Sequence, residues 1–279
     1  VTPSKMKATF AKWIDDTPYV LTILPTNKYS VGETDLDRSA GVPYPTQKVE
    51  FQFPKLQTAT LSNGAKVVLA QREGVPLVEM NFQFNFGYAQ ENNDELGYTN
   101  FMMGMLNEGT KKYSSLEFDE VLDSLGSNLG FGSGLDTSVA SLSSLKANLS
   151  QTLDLAKEAL INPTFPEKEI ERIKKETLAG IIQEENRPAS IAYRNIGKLL
   201  YGDDHPYGKP LTGSGISETI SSITRANIMD VHSRAINSAH LTFAVAGDIE
   251  MKELVDLLES KFGDWSANSD SGLKTLTTV

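Results

Sequence analysis

Residues 96–110 read LGYTNFMMGMLNEGT, and this stretch decides how the rest of the chain is interpreted. Its large apolar residues recur at intervals of three and four, which predicts one continuous apolar stripe along a helix. The stripe consists of Tyr98, Phe101, Met102, Met105 and Leu106. Asn100, Met103 and Gly104 form a second i, i+3, i+4 set, so we expect them to share a neighbouring face. The spacing alone predicts a core helix in which a glycine permits close packing.

The segments around this helix predict an α+β fold. Asn63-Gly64 lies between two apolar runs, which is typical of a β-hairpin. Residues 78–86 alternate between apolar and polar side chains, which predicts a strand with one buried face. Further strands are expected over residues 128–134, 137–145 and 240–246, and helices over 114–125, 148–160, 166–186, 191–201, 224–236 and 250–262. This order predicts a mostly antiparallel sheet with helices packed on one face.

Charge and composition exclude several classes of partner. The 279 residues carry a net charge of −10, which disfavours nucleic acid and anionic membranes as partners. No apolar run approaches the roughly 20 residues of a membrane span, so no membrane-spanning segment is expected. Cysteine is absent, which excludes disulfides and thiol chemistry.

The start of the chain has a different character from the remainder. Residues 4–17 predict a helix, and residues 19–24 predict a buried strand that ends at Pro25. Residues 26–54 combine glycine and proline with polar side chains, as linkers do. We expect residues 1–25 to be the tail of a preceding module, although an N-terminal arm that packs on its own domain is the alternative.

The residue types of the 96–110 stretch and their order resemble the zinc-site helix of the pitrilysin, insulysin and mitochondrial-processing-peptidase family, M16. That helix carries the metal motif H-x-x-E-H. Asn100, Met103 and Gly104 stand at its His, Glu and His positions. An amide, a thioether and a glycine supply neither zinc ligands nor a general base. The resemblance therefore implies a catalytically degenerate module that holds no zinc of its own.

Other motifs extend the resemblance along most of the chain, in the order that the family shows. They are the hairpin at residues 61–67, Asn-Pro-x-Phe at 162–165, His-Pro-Tyr-Gly at 205–208 with Gly213, and Ala-Val-Ala-Gly-Asp at 244–248. The family takes a third metal ligand from a Glu about 76 residues past the motif, and that position is Gly180 here. Glu176, Glu184 and Glu185 lie one or two turns away, where we expect solvated helix-surface carboxylates.

The resemblance implies a domain organisation and a function. In tandem bacterial members four modules share one chain, and the third has lost the motif. This chain is similar to that third module, with a preceding tail (1–25), a linker (26–54), the M16-like module (55–268) and the start of the next linker (269–279). It would complete the substrate chamber of a zinc metalloendopeptidase whose active site lies in another module or in a catalytic partner subunit, in the periplasm or outside the cell. The module would help to hold unfolded peptides for that active site.

A glycine-rich strand is the candidate substrate surface. Leu129, Gly130, Phe131, Gly132 and Ser133 fall where the family's peptide-pairing strand lies. Glycines weaken a strand interior, but they let another backbone approach closely, as β-augmentation requires. A bulged, irregular strand end is the alternative interpretation.

Two other functions compete with the chamber role. One is a binding or assembly protein that has the M16 fold and no link to proteolysis. The other is an independent enzyme that uses His205, His232 and His240, although no pair of these has ligand spacing. We expect surface or loop roles for the three histidines.

Overall fold

The structure, a computed structural model, describes residues 2–14, 20–22, 54–266 and 273. The chain divides into two compact units, residues 1–51 and 52–279. In the first unit the described residues contain helix α1 (Pro3–Trp13), which the side chain of Thr2 caps. The predicted helix over 4–17 therefore ends earlier, at Trp13.

The predicted buried strand over residues 19–24 is wrong for the three residues described there. Residues 20–22 have no regular structure, and Val20 and Leu21 are exposed. A strand needs a neighbour to pair its backbone groups, and no described residue of the first unit supplies one. Residues 19, 23 and 24 lie outside the described residues, as do the linker before Pro54 and residues 269–279 apart from Leu273. The proposed module limits stay predictions.

A six-stranded sheet forms the centre of the described part of the second unit. Its strands are β1 (Gln57–Thr60), β2 (Lys66–Gln71), β3 (Leu77–Phe84), β4 (Asn128–Ser133), β5 (Ser138–Leu145) and β6 (Leu241–Gly247). They lie in the order β1-β2-β6-β3-β5-β4, and all neighbours are antiparallel except β2 and β6. The first and last strands of this order, β1 and β4, are therefore the edges.

Helices follow the strands along the second unit. They are α2 (Tyr98–Gly104), α3 (Ser115–Ser124), α4 (Leu149–Ile161), α5 (Glu167–Glu185), α6 (Pro188–Tyr201), α7 (Ser217–Ser222), α8 (Arg225–Ala235) and α9 (Met251–Phe262). The α+β class with a mostly antiparallel sheet is confirmed. No helix among the described residues combines the length and the apolar character needed to cross a membrane.

One face of the sheet builds the core, as the alternation in the sequence predicts. In β3 the side chains of Val78, Met80, Phe82 and Phe84 are buried, and Glu79 and Asn81 between them are exposed. The ring of Phe82 packs edge-on against Phe243 of β6 at 5.1 Å and against Phe262 of α9 at 5.5 Å between centroids. Burial of such rings is the main stabilising term for this layer.

Two helices of the second unit differ clearly from their predicted limits, and a third was not predicted. The 96–110 stretch is helical only as far as Gly104, after which the chain turns, although Met105 and Leu106 stay fully buried. Glycine is a poor helix former, so the helix ends at this residue. Helix α6 begins at Pro188 and not at residue 191 as predicted. Proline fits the first position of a helix, because the N–H that it lacks would have no partner inside the helix there. Helix α7 is too short to give a periodic signal.

Candidate functional site

Helix α2 is held in place by the chain before it. Its N-cap, Gly97, has a φ of 91°, and a Cβ there would lie 2.7 Å from the carbonyl oxygen of Ser214. Only glycine therefore fits at this position. The carboxylate of Glu91 accepts hydrogen bonds from the N–H groups of Gly97 (2.9 Å) and Thr99 (2.7 Å). A side chain from the segment just before α2 thus supplies the cap that the sequence of α2 lacks.

Glu91 is a buried acid with an unusual titration. Burial raises its pKa to about 7, although the two N–H donors and the charge of Lys209 act in the opposite direction. The buried ammonium of Lys209 donates to the main-chain oxygens of Ala89 (3.0 Å) and Glu91. The sequence analysis missed both residues, because nothing in their local pattern marks a contact between positions so far apart.

Asn100, at the first ligand position, makes two hydrogen bonds through its side chain. Its Nδ2 donates to the carbonyl oxygen of Gly213 at 3.1 Å. Its Oδ1 accepts from the N–H of Ser133 at 3.0 Å. The side chain therefore joins α2 to the end of β4 and to the loop after His205-Pro206-Tyr207-Gly208.

The other degenerate positions divide into a buried one and two open ones. Met103, at the position of the general base, is fully buried within the core. Gly104 is exposed and Gly180 is half-buried, and a Cβ built on either would meet no atom within 4 Å. Both positions have space for a side chain, but glycine supplies no ligand group.

These residues do not fit a zinc ion. Zinc in proteins is held by imidazole, thiolate or carboxylate groups. The amide of Asn100 is engaged with backbone groups, and the thioether of Met103 is enclosed by the core. Among the described residues, no three His, Cys, Asp or Glu side chains come together as a metal site would require.

The nearby carboxylates of α5 serve as ion-pair partners. Glu176 accepts from Arg172 at 3.1 Å, and Glu184 lies 2.7 Å from Arg194. The side chain of Arg194 is 8% exposed, and Glu184 also accepts from Ser214 at 2.7 Å. Glu184 therefore fastens α5 to α6 and to the loop beside α2, which differs from the solvated surface role expected for it.

The three histidines do not come together. The Nε2 of His232 lies 2.9 Å from the carbonyl oxygen of Leu160, and burial lowers the pKa of this imidazole. His232 is therefore a core-facing residue and not one of the polar helix surface. His205 accepts from the N–H of Tyr207 in its own loop, and His240 ends a short 3₁₀ turn before β6.

The predicted peptide strand is an edge of the sheet. Among the described residues β4 pairs with β5 alone, and Leu129 lies opposite Leu142 while Gly132 lies opposite Val139. A groove of about 520 Å³ runs along this edge. It is lined by Gly130, Phe131, Gly132, Ser133, Gly134, Thr137, Val139 and Ser141. The structure thus brings the candidate strand and the degenerate helix into contact through Asn100 and Ser133.

Comparison with known proteins identifies the family of this fold. Residues 66–213 match the family model for insulinase, peptidase family M16, and residues 222–278 match the model for the peptidase M16 inactive domain. An uncharacterized zinc protease of Rickettsia felis is 26% identical over 215 residues, which are 77% of this chain and 50% of that protein. The beta subunit of the mitochondrial-processing peptidase of Rattus norvegicus is 24% identical over 217 residues, which are 78% and 44% of the two chains.

Solved structures agree with these relatives. A crystal structure of a peptidase M16 inactive domain from Pseudomonas fluorescens superposes with a TM-score of 0.73 at 27% identity, over 80% of this chain and 53% of that one. The periplasmic protease PqqL from Escherichia coli has the same fold, with a TM-score of 0.72 at 21% identity over 83% and 26% of the two chains. The chain spans about half the length of the curated relatives it matches. Because the insulinase model covers more than half of its residues, the chain belongs to peptidase family M16.

Proposed function

We propose that this chain is a non-catalytic M16 module that completes a substrate chamber and helps to bind extended peptides. The zinc site that cleaves them lies in another M16 module of the same protein or in a catalytic partner subunit. The parent protein is then a zinc metalloendopeptidase, in the periplasm or outside the cell. The similarity to a zinc protease and to an M16 inactive domain supports this division of labour.

The observation that carries the proposal is the open edge of β4. In an antiparallel pair, successive residues direct their backbone groups alternately toward the partner strand and away from it. The N–H of Ser133 donates to Asn100, whereas the N–H of Gly134 donates to Thr137 in the connection to β5. Ser133 therefore faces away from β5, and so do Phe131 and Leu129 at two-residue intervals.

This parity defines the part of the edge that a peptide can use. Asn100 already occupies the amide of Ser133. The outward N–H and C=O groups of Leu129 and Phe131 have no strand beside them in the described part of the chain. Leu129 is 8% exposed and Phe131 is half-buried, so the N–H and C=O groups of Phe131 are the more accessible pair. Such main-chain groups pair with a short extended segment whatever its sequence. Recognition through the backbone suits a protein that handles unfolded peptides.

A proline at position 131 tests this role. Phe131→Pro removes one outward N–H group and keeps the ladder to β5, because an edge strand tolerates proline where its N–H faces solvent. Phe131→Ala is the matched control, since it removes the same ring and keeps the amide. The affinity of both variants for a fluorescein-labelled unstructured peptide is measured by fluorescence anisotropy.

We expect Phe131→Pro to bind the peptide about tenfold more weakly than Phe131→Ala, as the loss of about 1.4 kcal/mol from one hydrogen bond implies. Circular dichroism checks that both variants are folded. Equal affinities for the two folded variants would contradict pairing along this edge. Failure of the unmodified chain to bind any unstructured peptide would remove the proposed function.

A further inference from the structure

Gly132 of β4 is not explained by the structure of the chain itself. Gly130 and Gly132 both have φ values outside the left-handed region. A Cβ on Gly132 would meet no atom within 4 Å, and a Cβ on Gly130 would lie 3.0 Å from the rotatable Oγ of Ser141. Glycine in a strand interior weakens the strand because it loses more conformational freedom than any other residue. Neither backbone conformation nor packing requires it at position 132.

The two glycines shape the groove beside the edge. They point to the same face of the sheet, opposite Ser141 and Val139 of β5. The space of about 520 Å³ in front of them is lined by the backbone of β4, by small hydroxyl groups and by Val139. The ring of Phe131 lies on the opposite face of β4 and packs against the core. No charged side chain of the described residues lines it, although 62 of the 279 residues of the chain, 36 acidic and 26 basic, are charged.

These properties select among the side chains of a paired peptide. A peptide that adds to β4 as the next strand places alternate side chains on the face of Gly130 and Gly132. An aromatic ring on a neighbouring strand packs over an edge glycine and covers its exposed backbone. A charged side chain in the same place would find no opposite charge among the described residues that line the groove.

We propose that this groove selects peptides that carry an aromatic side chain at a residue paired opposite Gly130 or Gly132. This inference rests on the proposed function, because it concerns a peptide that is already paired with the β4 edge. The backbone of Leu129 and Phe131 then gives affinity without sequence preference, and the glycine-floored groove gives the preference.

A set of peptides with one varied position tests the proposal. Three labelled peptides share a backbone and differ only in a central Phe, Ala or Glu. Each is titrated against the unmodified chain, against Gly132→Val and against Asn128→Val. Gly132→Val fills the groove with a residue that favours strands. Asn128→Val is the matched control, because Asn128 lies on the same face of β4 and does not line the groove.

We expect the unmodified chain to bind the Phe peptide about tenfold more tightly than the Ala peptide, and the Glu peptide least tightly. Gly132→Val is expected to reduce the advantage of Phe to less than about twofold while it keeps its affinity for the Ala peptide. Asn128→Val is expected to keep the full advantage. Thermal melting by circular dichroism verifies the fold of both variants.

The outcomes separate this inference from the function on which it rests. Equal binding of all three peptides to the unmodified chain would overturn the aromatic preference and leave backbone pairing intact. An undiminished preference for Phe in folded Gly132→Val would place the ring elsewhere and would also overturn it. Binding of none of the three peptides would overturn both proposals.

Discussion

Helix α2 and the outer edge of β4 are adjacent, joined by the hydrogen bond from Ser133 to Asn100, yet they have opposite characters. The helix is closed: Met103 is enclosed by the core, and both polar atoms of Asn100 are engaged. The edge is open, with an uncharged groove along it. Metal chemistry depends on a few side chains and is lost when they are replaced. Backbone pairing depends on strand position and survives the same changes.

The largest effect is expected when an acidic side chain is placed at the buried position of α2. Met103→Glu places a carboxyl group at a fully buried position whose neighbours are apolar. We expect the free energy of unfolding to fall by about 4 kcal/mol, as burial of an unpaired acid implies. Urea denaturation measures it, with Met103→Leu as the control of similar volume, for which less than about 1.5 kcal/mol is expected. A loss no larger than that of Met103→Leu would show that this face of α2 is not closed.

A pH-dependent effect is expected at the start of the same helix. The pKa of Glu91 is about 7 in the folded chain and 4.5 in an exposed reference, so the folded state holds the proton more tightly. This contribution to stability is fully present below pH 4.5 and is lost as the pH rises through 7. Between these limits the free energy of unfolding is expected to fall by about 3 kcal/mol.

A comparison with Glu91→Gln isolates this effect, since the glutamine does not titrate. The lowered pKa of His232 acts in both proteins, with stability lost as the pH falls, and cancels in the difference. Urea titrations between pH 5 and pH 8 should show the unmodified chain losing stability relative to Glu91→Gln as the pH rises. A constant difference over this range would contradict the raised pKa.

The link between the two regions is expected to have a smaller effect. Asn100→Ala removes the hydrogen bonds to Gly213 and Ser133 and should lower the free energy of unfolding by about 2 kcal/mol. It also releases the amide of Ser133, which lengthens the part of the edge open to a peptide. Denaturation and peptide titration of the same variant measure both. Unchanged stability would mean that Asn100 does not join the two regions.

The smallest effect is expected at the open ligand position. A side chain on Gly104 meets no atom within 4 Å, so Gly104→His should change the free energy of unfolding by less than about 0.5 kcal/mol. Gly97→Ala is the contrasting variant, because its φ is 91° and its Cβ would approach the backbone of Ser214 and Gly215. We expect it to cost more than about 2 kcal/mol. Similar losses in the two variants would show that the ligand position is not open.

The sequence predicted those features that depend on local patterns. Alternation over residues 78–86 identified β3, and Ser114 with Glu117 forms the capping box of α3. The degenerate motif positions were found by resemblance, and the structure places Asn100 and Met103 on α2 as that motif requires.

Features that depend on contacts between distant residues were not predictable from one sequence. The parallel pairing of β2 with β6 joins residues more than 170 positions apart. The hydrogen bonds from Lys209 to the main chain at Ala89 and Glu91, and the bond from Ser214 to Glu184, have no local signal. The outward direction of the Phe131 N–H follows from the hydrogen bond between Ser133 and Asn100, which are 33 positions apart.

Amide hydrogen exchange along β4, measured with and without a saturating extended peptide, tests the central claim most directly. The amides of Gly130 and Gly132 face β5 and are protected in both states, and the amide of Ser133 is held by Asn100. If the edge binds peptide through its backbone, the exchange of Leu129 and Phe131 slows by about tenfold or more when peptide is bound. Unchanged exchange at both residues in the peptide-bound chain would contradict the account.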